Sequence, residues 1–312
     1  MIVSPADAVG SVLQALLVVM LAPGLQGWIK RTKAVWQGRH GPPLIQSYAD
    51  LWKLLRKETL VPAPASWIFR GAPWLVLGAT LAAASLVPLV AIRGPLGGGD
   101  LIVLAGLLAL ARFAQALAAL DTGSSFAGMG ASREMAIAAL IEPALVATAF
   151  ALAIPAGTTD PGGIAAAGLA DGWAALGPGH LLALAAVLVV VVAETGRIPV
   201  DNPDTHLELT MVHEGMLLEY SGPHLAALQL AALVKQALVL GLVGALLLPW
   251  GLGAPWPVAL AALLLKLGAL GLLLASIESV YAKLRILRLP ELLATSFALS
   301  GLSLAARGVF GA

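Results

Sequence analysis

Eight stretches of mostly apolar residues set the fold of this chain, because each is near the roughly 20 residues that a helix needs to cross a bilayer core. They are Val9–Leu25, Pro73–Ile92, Leu101–Leu120, Met135–Ile154, Ala174–Ala193, Leu225–Trp250, Pro257–Tyr281 and Pro290–Val309. Breaks rich in glycine and proline separate several of them, at Gly94-Pro95 with Gly97-Gly98-Gly99, at Pro161-Gly162-Gly163, at Gly177-Pro178-Gly179, and from Pro249 to Pro257. Backbone amides must be satisfied internally within lipid, which favours helices for such segments. The expected fold class is therefore all-α, a polytopic transmembrane bundle of about eight spans. No basic residue precedes the first span until Lys30, so it does not read as a signal peptide.

Composition supports the same class. Of 312 residues, 59% are hydrophobic and 11% charged, against about 45–50% and about 25% in soluble domains. A water-soluble globular fold is excluded. Lys and Arg number 18 against 17 Asp and Glu, a balance that argues against nucleic-acid binding and against an acidic tail. With no cysteine, the chain has no disulfide, no cysteine nucleophile and no cysteine-held iron–sulfur cluster or zinc of its own. Any electrons passing nearby belong to another subunit.

The few charges are strongly ordered. Thirteen of the 18 basic residues fall on one side of the predicted spans: Lys30, Arg31, Lys33, Arg39, Lys53, Arg56, Lys57 and Arg70 after the first, then Arg133, Arg197, Lys283, Arg285 and Arg288. Only Arg93 and Arg307 fall on the other. The positive-inside rule puts the thirteen in the cytoplasm and both termini outside.

Two cytoplasmic segments are patterned beyond what a connector needs. Within residues 26–72, Leu44, Tyr48, Leu51, Trp52 and Leu55 recur at helical spacing, with Asp50, Lys53 and Lys57 on the other side. That pattern predicts an amphipathic helix in the interface, either an anchor to lipid or a platform for a soluble partner. The second segment, residues 194–224, gathers Glu194, Asp201, Asp204, Glu208, Glu214 and Glu219, six of the 17 acids. Asn202-Pro203 suits a helix start. On one continuous helix Asp204, Glu208 and Glu219 would share a face, with His206 and His213 opposite. The histidines lie seven apart without an HExxH motif, so no metal site is expected.

Charges inside spans are costly, about 2.5–3.5 kcal/mol each on insertion scales, and they face bundle interiors or water. Arg112, Glu142, Lys235 and Lys266 lie within spans, and Glu194 and Glu278 lie near the cytoplasmic ends of the fifth and seventh. Two readings stand: ion pairs tying helices together, or a proton path in which carboxyls and amines exchange protons through bridging water. The sequence holds no phosphate-binding glycine loop and no nucleophile elbow, and no catalytic residue is expected.

The stretches QGRHGPPLIQSYADLWKLLRKE (37–58), LDTGSSFAGMGASRE (120–134) and ETGRIPVDNPDTHLELTMVHEGMLLEYSG (194–222) resemble the membrane subunit shared by respiratory complex I and membrane-bound NiFe hydrogenases. The similarity is closest to the formate-hydrogenlyase and energy-converting hydrogenase branch. By that resemblance Arg39, Gly41, Pro42, Asp50, Lys53 and Glu58 form the first cytoplasmic motif. Glu194, Arg197, Pro199, Asp201, Glu208, Glu219 and Tyr220 belong to the acidic loop. It implies a non-catalytic subunit gripping a cytoplasmic arm of an iron–sulfur small subunit and a hydrogenase-like large subunit. That arm would carry iron–sulfur clusters and a NiFe centre, and antiporter-like membrane subunits would complete the complex. A proton or sodium path through Glu142, Glu194, Lys235, Lys266, Glu278 and Arg112 would follow. Two departures, a longer acidic loop and no acidic–basic pair at Gln26–Lys30, favour the hydrogenase branch over a quinone chamber. A quinone-chamber subunit of an NADH-quinone oxidoreductase is the alternative. A free-standing ion transporter is the alternative of another class, and it lacks the inverted repeat such folds often show.

Overall fold

The apolar stretches fold as helices in a computed structural model that describes residues 5–90, 99–172, 177–201, 211–285 and 288–310. Ten α-helices lie among the described residues: α1 Pro5–Trp36, α2 Gln46–Leu55, α3 Trp67–Leu86, α4 Leu101–Asp121, α5 Ser125–Ala156, α6 Pro161–Asp171, α7 Pro178–Glu194, α8 Gly222–Leu247, α9 Trp256–Val280 and α10 Leu289–Phe310. Seven are long and apolar enough to cross a membrane, namely α1, α3, α4, α5, α8, α9 and α10. The fifth predicted span is the shorter α7, of 17 residues; the predicted start of that span, residues 174–176, lies outside the described residues.

Helix ends follow local chemistry. Asp100 caps α4 by accepting from the amide of Ile102, and Ser66 caps α3 through Ile68. The Asp121 carboxylate then accepts from the Ser66 amide and hydroxyl and from the Phe69 amide, tying the start of α3 to the end of α4. Pro161-Gly162-Gly163, read from sequence as a break, instead opens α6. Asp160 accepts from the amides of Gly162 and Gly163, and Pro161 occupies the first turn, where its missing N–H costs nothing.

Two helices also outrun their predicted apolar cores. Helix α1 continues past Leu25 to Trp36, and α5 begins at Ser125, ten residues before Met135. Both extensions lie at the basic end of the bundle and matter for the site. There Gly27 and Gly41 allow the chain after α1 to fold back on it. A methyl at Gly27 would stand 2.4 Å from the Leu44 carbonyl oxygen, and one at Gly41 would stand 2.8 Å from Arg31 Cα.

Buried alanines let the helices approach closely. Helix α3 packs on α4 and α8, and α10 on α7 and α5. Polar groups join the last of these, as lipid-embedded packing favours. Ser296 and Ser303 of α10, both fully buried, donate to the carbonyls of Ala186 and Gly179 on α7 at 2.9 and 2.7 Å. The amphipathic helix expected from Leu44 to Leu55 is α2, with no residue of its own buried. Its Tyr48 hydroxyl donates to the Met20 carbonyl of α1, and Arg56 sits 4.6 Å from the Trp52 ring centroid.

Candidate functional site

The site is built where α4, α5, α7 and α8 meet at the basic end. Arg112 projects from the middle of α4 with a 6% exposed side chain and meets carboxylates from two helices. It donates to Glu194, the last residue of α7, whose side chain is 2% exposed. It lies 3.4 Å from Glu142 and 3.4 Å from Glu134, both on α5. Lys235 of α8 stands 3.6 Å from the second oxygen of Glu194. One guanidinium and one ammonium thus answer three carboxylates drawn from two helices, where a buried charge alone would be expensive.

A second group adjoins the first through α8, because Gln236 follows Lys235. Arg197 donates to Gln26 on α1 at 2.6 Å and to Gln236 at 2.7 Å. It also lies 3.4 Å from Glu278 of α9, whose other oxygen is 3.1 Å from Lys33 of α1. Beside it, Asp201 accepts from Lys283 at 2.6 Å and from the His213 amide at 3.2 Å. The Leu284 amide donates to the Pro199 carbonyl at 2.8 Å. The two sides of the acidic loop are thereby fastened to each other and to the chain leaving α9.

Part of each group, Glu134, Glu194 and Lys235 from the first and Arg197, Gln26 and Gln236 from the second, lines a cavity of about 430 Å³ that opens at the basic end. Its lining includes Gln26 and Lys30 of α1, Asp50 and Lys53 of α2, Glu134, Glu194, Arg197, His213, Glu214, Lys235 and Gln236. With Lys57, ten of its 20 lining residues are ionisable. Such a lining holds water and mobile protons well.

The sequence candidates divide accordingly. Arg112, Glu142, Glu194 and Lys235 come together, and Glu278 joins Arg197 next to them. Lys266 does not join. It is buried on α9 against α8, its stem lining the face of Gly244 and its ammonium 5.0 Å from the Trp250 ring centroid. Gly244 lies nine residues along α8 from Lys235, about 13 Å of apolar helix away. Asp204 and Glu208 lie outside the described residues. The continuous helix that would put Glu219 on one face with Asp204 and Glu208 is not found at its far end, where residues 214–217 form a single 3₁₀ turn. The reason is close packing on α5. A methyl on Gly130 would stand 2.9 Å from the Val212 carbonyl oxygen and 3.2 Å from Gly215, so this α5 glycine seats the loop directly on the helix.

The loop end and the first cytoplasmic motif are stitched together. The Leu60 amide donates to the Ser221 hydroxyl at 2.7 Å, and Gly222, at φ +54°, lies under the Glu58 carbonyl, where a methyl would come within 2.5 Å of its oxygen. Tyr220 stacks on Phe69 with ring centroids 4.0 Å apart and donates to the Phe69 carbonyl. Burial, helped by Asp121, pushes its phenol well up, so Tyr220 serves as packing and donor, away from the charge network. Arg39 and Glu58 are exposed at the rim; the Arg39 guanidinium donates to Gln37.

Sequence reasoning missed Glu134, Lys33, Gln26 and Gln236. Glu134 and Lys33 lie outside the predicted apolar spans, and only the extensions of α5 and α1 bring them inward. Gln26, seen as the absence of a charged pair, is instead a neutral acceptor for Arg197.

Comparison with known proteins shows which family the chain belongs to. Residues 10–306 match the family described as NADH dehydrogenase. Hydrogenase-4 component C of Escherichia coli is 36% identical over 296 residues, covering 93% of this chain and 92% of that protein. Formate hydrogenlyase subunit 4 of the same organism is 34% identical, covering 88% and 90%. Among solved structures, a chain of the archaeal membrane-bound sulfane sulfur reductase superposes with a TM-score of 0.83 at 23% identity, covering 96% of this chain and 98% of that one. That likeness concerns the fold.

Proposed function

We propose that this chain, which belongs to the NADH dehydrogenase family, is the non-catalytic membrane subunit of a complex I-related, hydrogenase-type oxidoreductase. It is a multi-pass membrane protein whose relatives are subunits of hydrogenase-4 and formate hydrogenlyase. Its basic end faces the cytoplasm and both termini face outward, in keeping with the positive-inside rule. There it anchors a cytoplasmic arm whose small subunit carries iron–sulfur clusters and whose large subunit is hydrogenase-like. Clusters belong to partners, since this chain has no cysteine.

The observation that carries the ion-path reading is the Arg112 network. Glu194 stands at the wall of the polar cavity and also touches Arg112 deep in the bundle. Redox events above the cavity can therefore bias its protonation, and Arg112 relays that change to Glu142. Glu142 has a 52% exposed side chain within a membrane-spanning helix. A half-exposed carboxylate at that depth calls for a polar neighbour, which an antiporter-like membrane subunit would supply. Protons are the ion best suited to such a chain of carboxylates and water.

The quinone-chamber reading is favoured by one observation, a cavity of about 430 Å³, within the usual range for small-molecule sites. Its ionisable lining suits water better than an apolar quinone. Purification of the native complex in mild detergent tests the assignment. A cysteine-rich, iron-containing arm should accompany the chain and should be lost when residues 202–210 are replaced by a glycine–serine linker. Recovery of the chain without any such partner contradicts the assignment; retention of the arm after replacement contradicts the docking role of the loop.

A further inference from the structure

Helix α2 has two unlike sides. Asp50 and Lys53, with Lys57 just past its end, line the polar cavity. On the other side Ile45, Tyr48, Trp52 and Leu55 recur at spacings of three and four, so they share a face. That face is bare, with Ile45 69% and Trp52 58% exposed. A continuous apolar face rimmed by charge marks either a protein partner or a membrane. The depth of α2 decides between them. The chain folds back after α1, and Leu44 lies against Gly27, nine residues short of the end of α1 at Trp36, or about 14 Å along it. Tyr48 reaches further, to the Met20 carbonyl and to Gly24, both inside the apolar stretch Val9–Leu25. Helix α2 therefore runs beside the apolar part of α1 and not beyond it. Its bare face is level with the edge of the hydrocarbon, the depth at which tryptophan and tyrosine gather.

Charge specifies the occupant further. Residues 26–72 carry eight basic residues against two acidic ones, Asp50 and Glu58. Arg56 closes α2 four residues after Trp52, with its guanidinium 4.6 Å from the Trp52 ring centroid. Among the described residues no carboxylate lies within ion-pair distance of it. The indole thus holds the guanidinium at the flank of the apolar face, with its planar fork of donors available. A phosphate fits that fork with two parallel hydrogen bonds. An acidic soluble protein would supply the anion but not the apolar chains that the rest of the face calls for.

We propose that the bare face of α2 is a site for an anionic phospholipid of the leaflet at the basic end. Its phosphate meets Arg56, and its acyl chains lie along Trp52, Tyr48 and Ile45. Because the opposite side of α2 is a wall of the polar cavity, the bound lipid also holds that wall in place. The site stands whether or not Glu194 carries protons.

The test uses the full chain, purified in mild detergent with the subunits that accompany it. Native mass spectrometry counts bound lipid as phosphatidylglycerol or phosphatidylcholine with the same acyl chains is added. Phosphatidylglycerol should bind about fivefold more tightly, the effect of one arginine near an anionic headgroup. Arg56→Gln should remove that preference. Lys57→Gln, the same loss of charge on the cavity side, should keep it. Equal binding of the two lipids overturns the proposal, and so do equal losses in the two variants. In nanodiscs, amide exchange across residues 46–55 should slow about fivefold when phosphatidylglycerol replaces phosphatidylcholine, and Arg56→Gln should abolish the slowing. Unchanged exchange in the native chain overturns the role of the lipid in holding the cavity wall. A photoreactive benzoylphenylalanine in place of Trp52, irradiated in native membranes, identifies the occupant directly. Lipid adducts are expected; adducts mainly to another subunit or to a second copy of the chain overturn the site.

Discussion

Lys235 and Lys266 are both lysines in the interior of neighbouring helices, yet they sit in opposite kinds of surroundings. Lys235 lies 3.6 Å from a buried carboxylate, lines the polar cavity and precedes a residue that binds Arg197. Lys266 lies among leucines with its ammonium against Trp250. The first environment couples a charge, through Glu194, to an arginine and two further carboxylates beside a polar cavity. The second shields a charge with an aromatic face, an attraction worth about 0.5–2 kcal/mol. The difference teaches that a charge within a span marks a functional route only where a neighbouring helix answers it.

The contrast breaks most sharply at Arg112. Arg112→Leu leaves Glu134, Glu142 and Glu194 without their shared cation, and removing one partner of a buried pair costs about 3–5 kcal/mol. The assembled complex should lose that much thermal stability or fail to be recovered. Lys266→Met, which replaces a charge that meets no carboxylate among the described residues and rests against Trp250, should shift stability by less than about 2 kcal/mol in either direction. Equal losses from the two substitutions would erase the distinction drawn here.

A functional comparison of the two lysines comes next. Lys235→Met removes the cation beside Glu194 and should slow donor-driven translocation about tenfold, within the range of positioned proton-transfer groups. Lys266→Met should leave it within about twofold. A smaller effect is expected at Asp201. Asp201→Asn removes the charge that holds Lys283 and weakens the acceptor for the His213 amide, a loss of about 1–2 kcal/mol. Amide exchange across residues 211–217 should accelerate by about fivefold or more. Smallest is Tyr220→Phe, which keeps the stacking on Phe69 and loses one hydrogen bond, about 1 kcal/mol, read as a small fall in melting temperature.

Much of this architecture was legible in residue order. Apolar length gave the long helices, and the basic residues gathered at one end as their spacing implied. What the sequence hid is rotational. Depth along a helix can be counted from residue numbers, but the direction a side chain faces depends on which helix packs beside it. Lys235 and Lys266 look alike for that reason. Helix ends were the other blind spot. Glu134 and Lys33 lie beyond the apolar cores of α5 and α1, so only the observed extensions draw them into the network. Gly130 was seen only as part of a motif. Its role as the seat of the acidic loop depends on a contact with Val212 and Gly215, more than 80 residues away in sequence.

The central claim is that Glu194 couples the cytoplasmic cavity to ion movement across the membrane. Its most direct test is translocation by the reconstituted complex with Glu194→Gln, measured as ions moved per electron at matched electron flux. Glutamine keeps the size of the side chain and its contact with Arg112 but cannot release a proton. The account predicts a fall of about tenfold or more in that ratio. A native ratio in the assembled variant would contradict it.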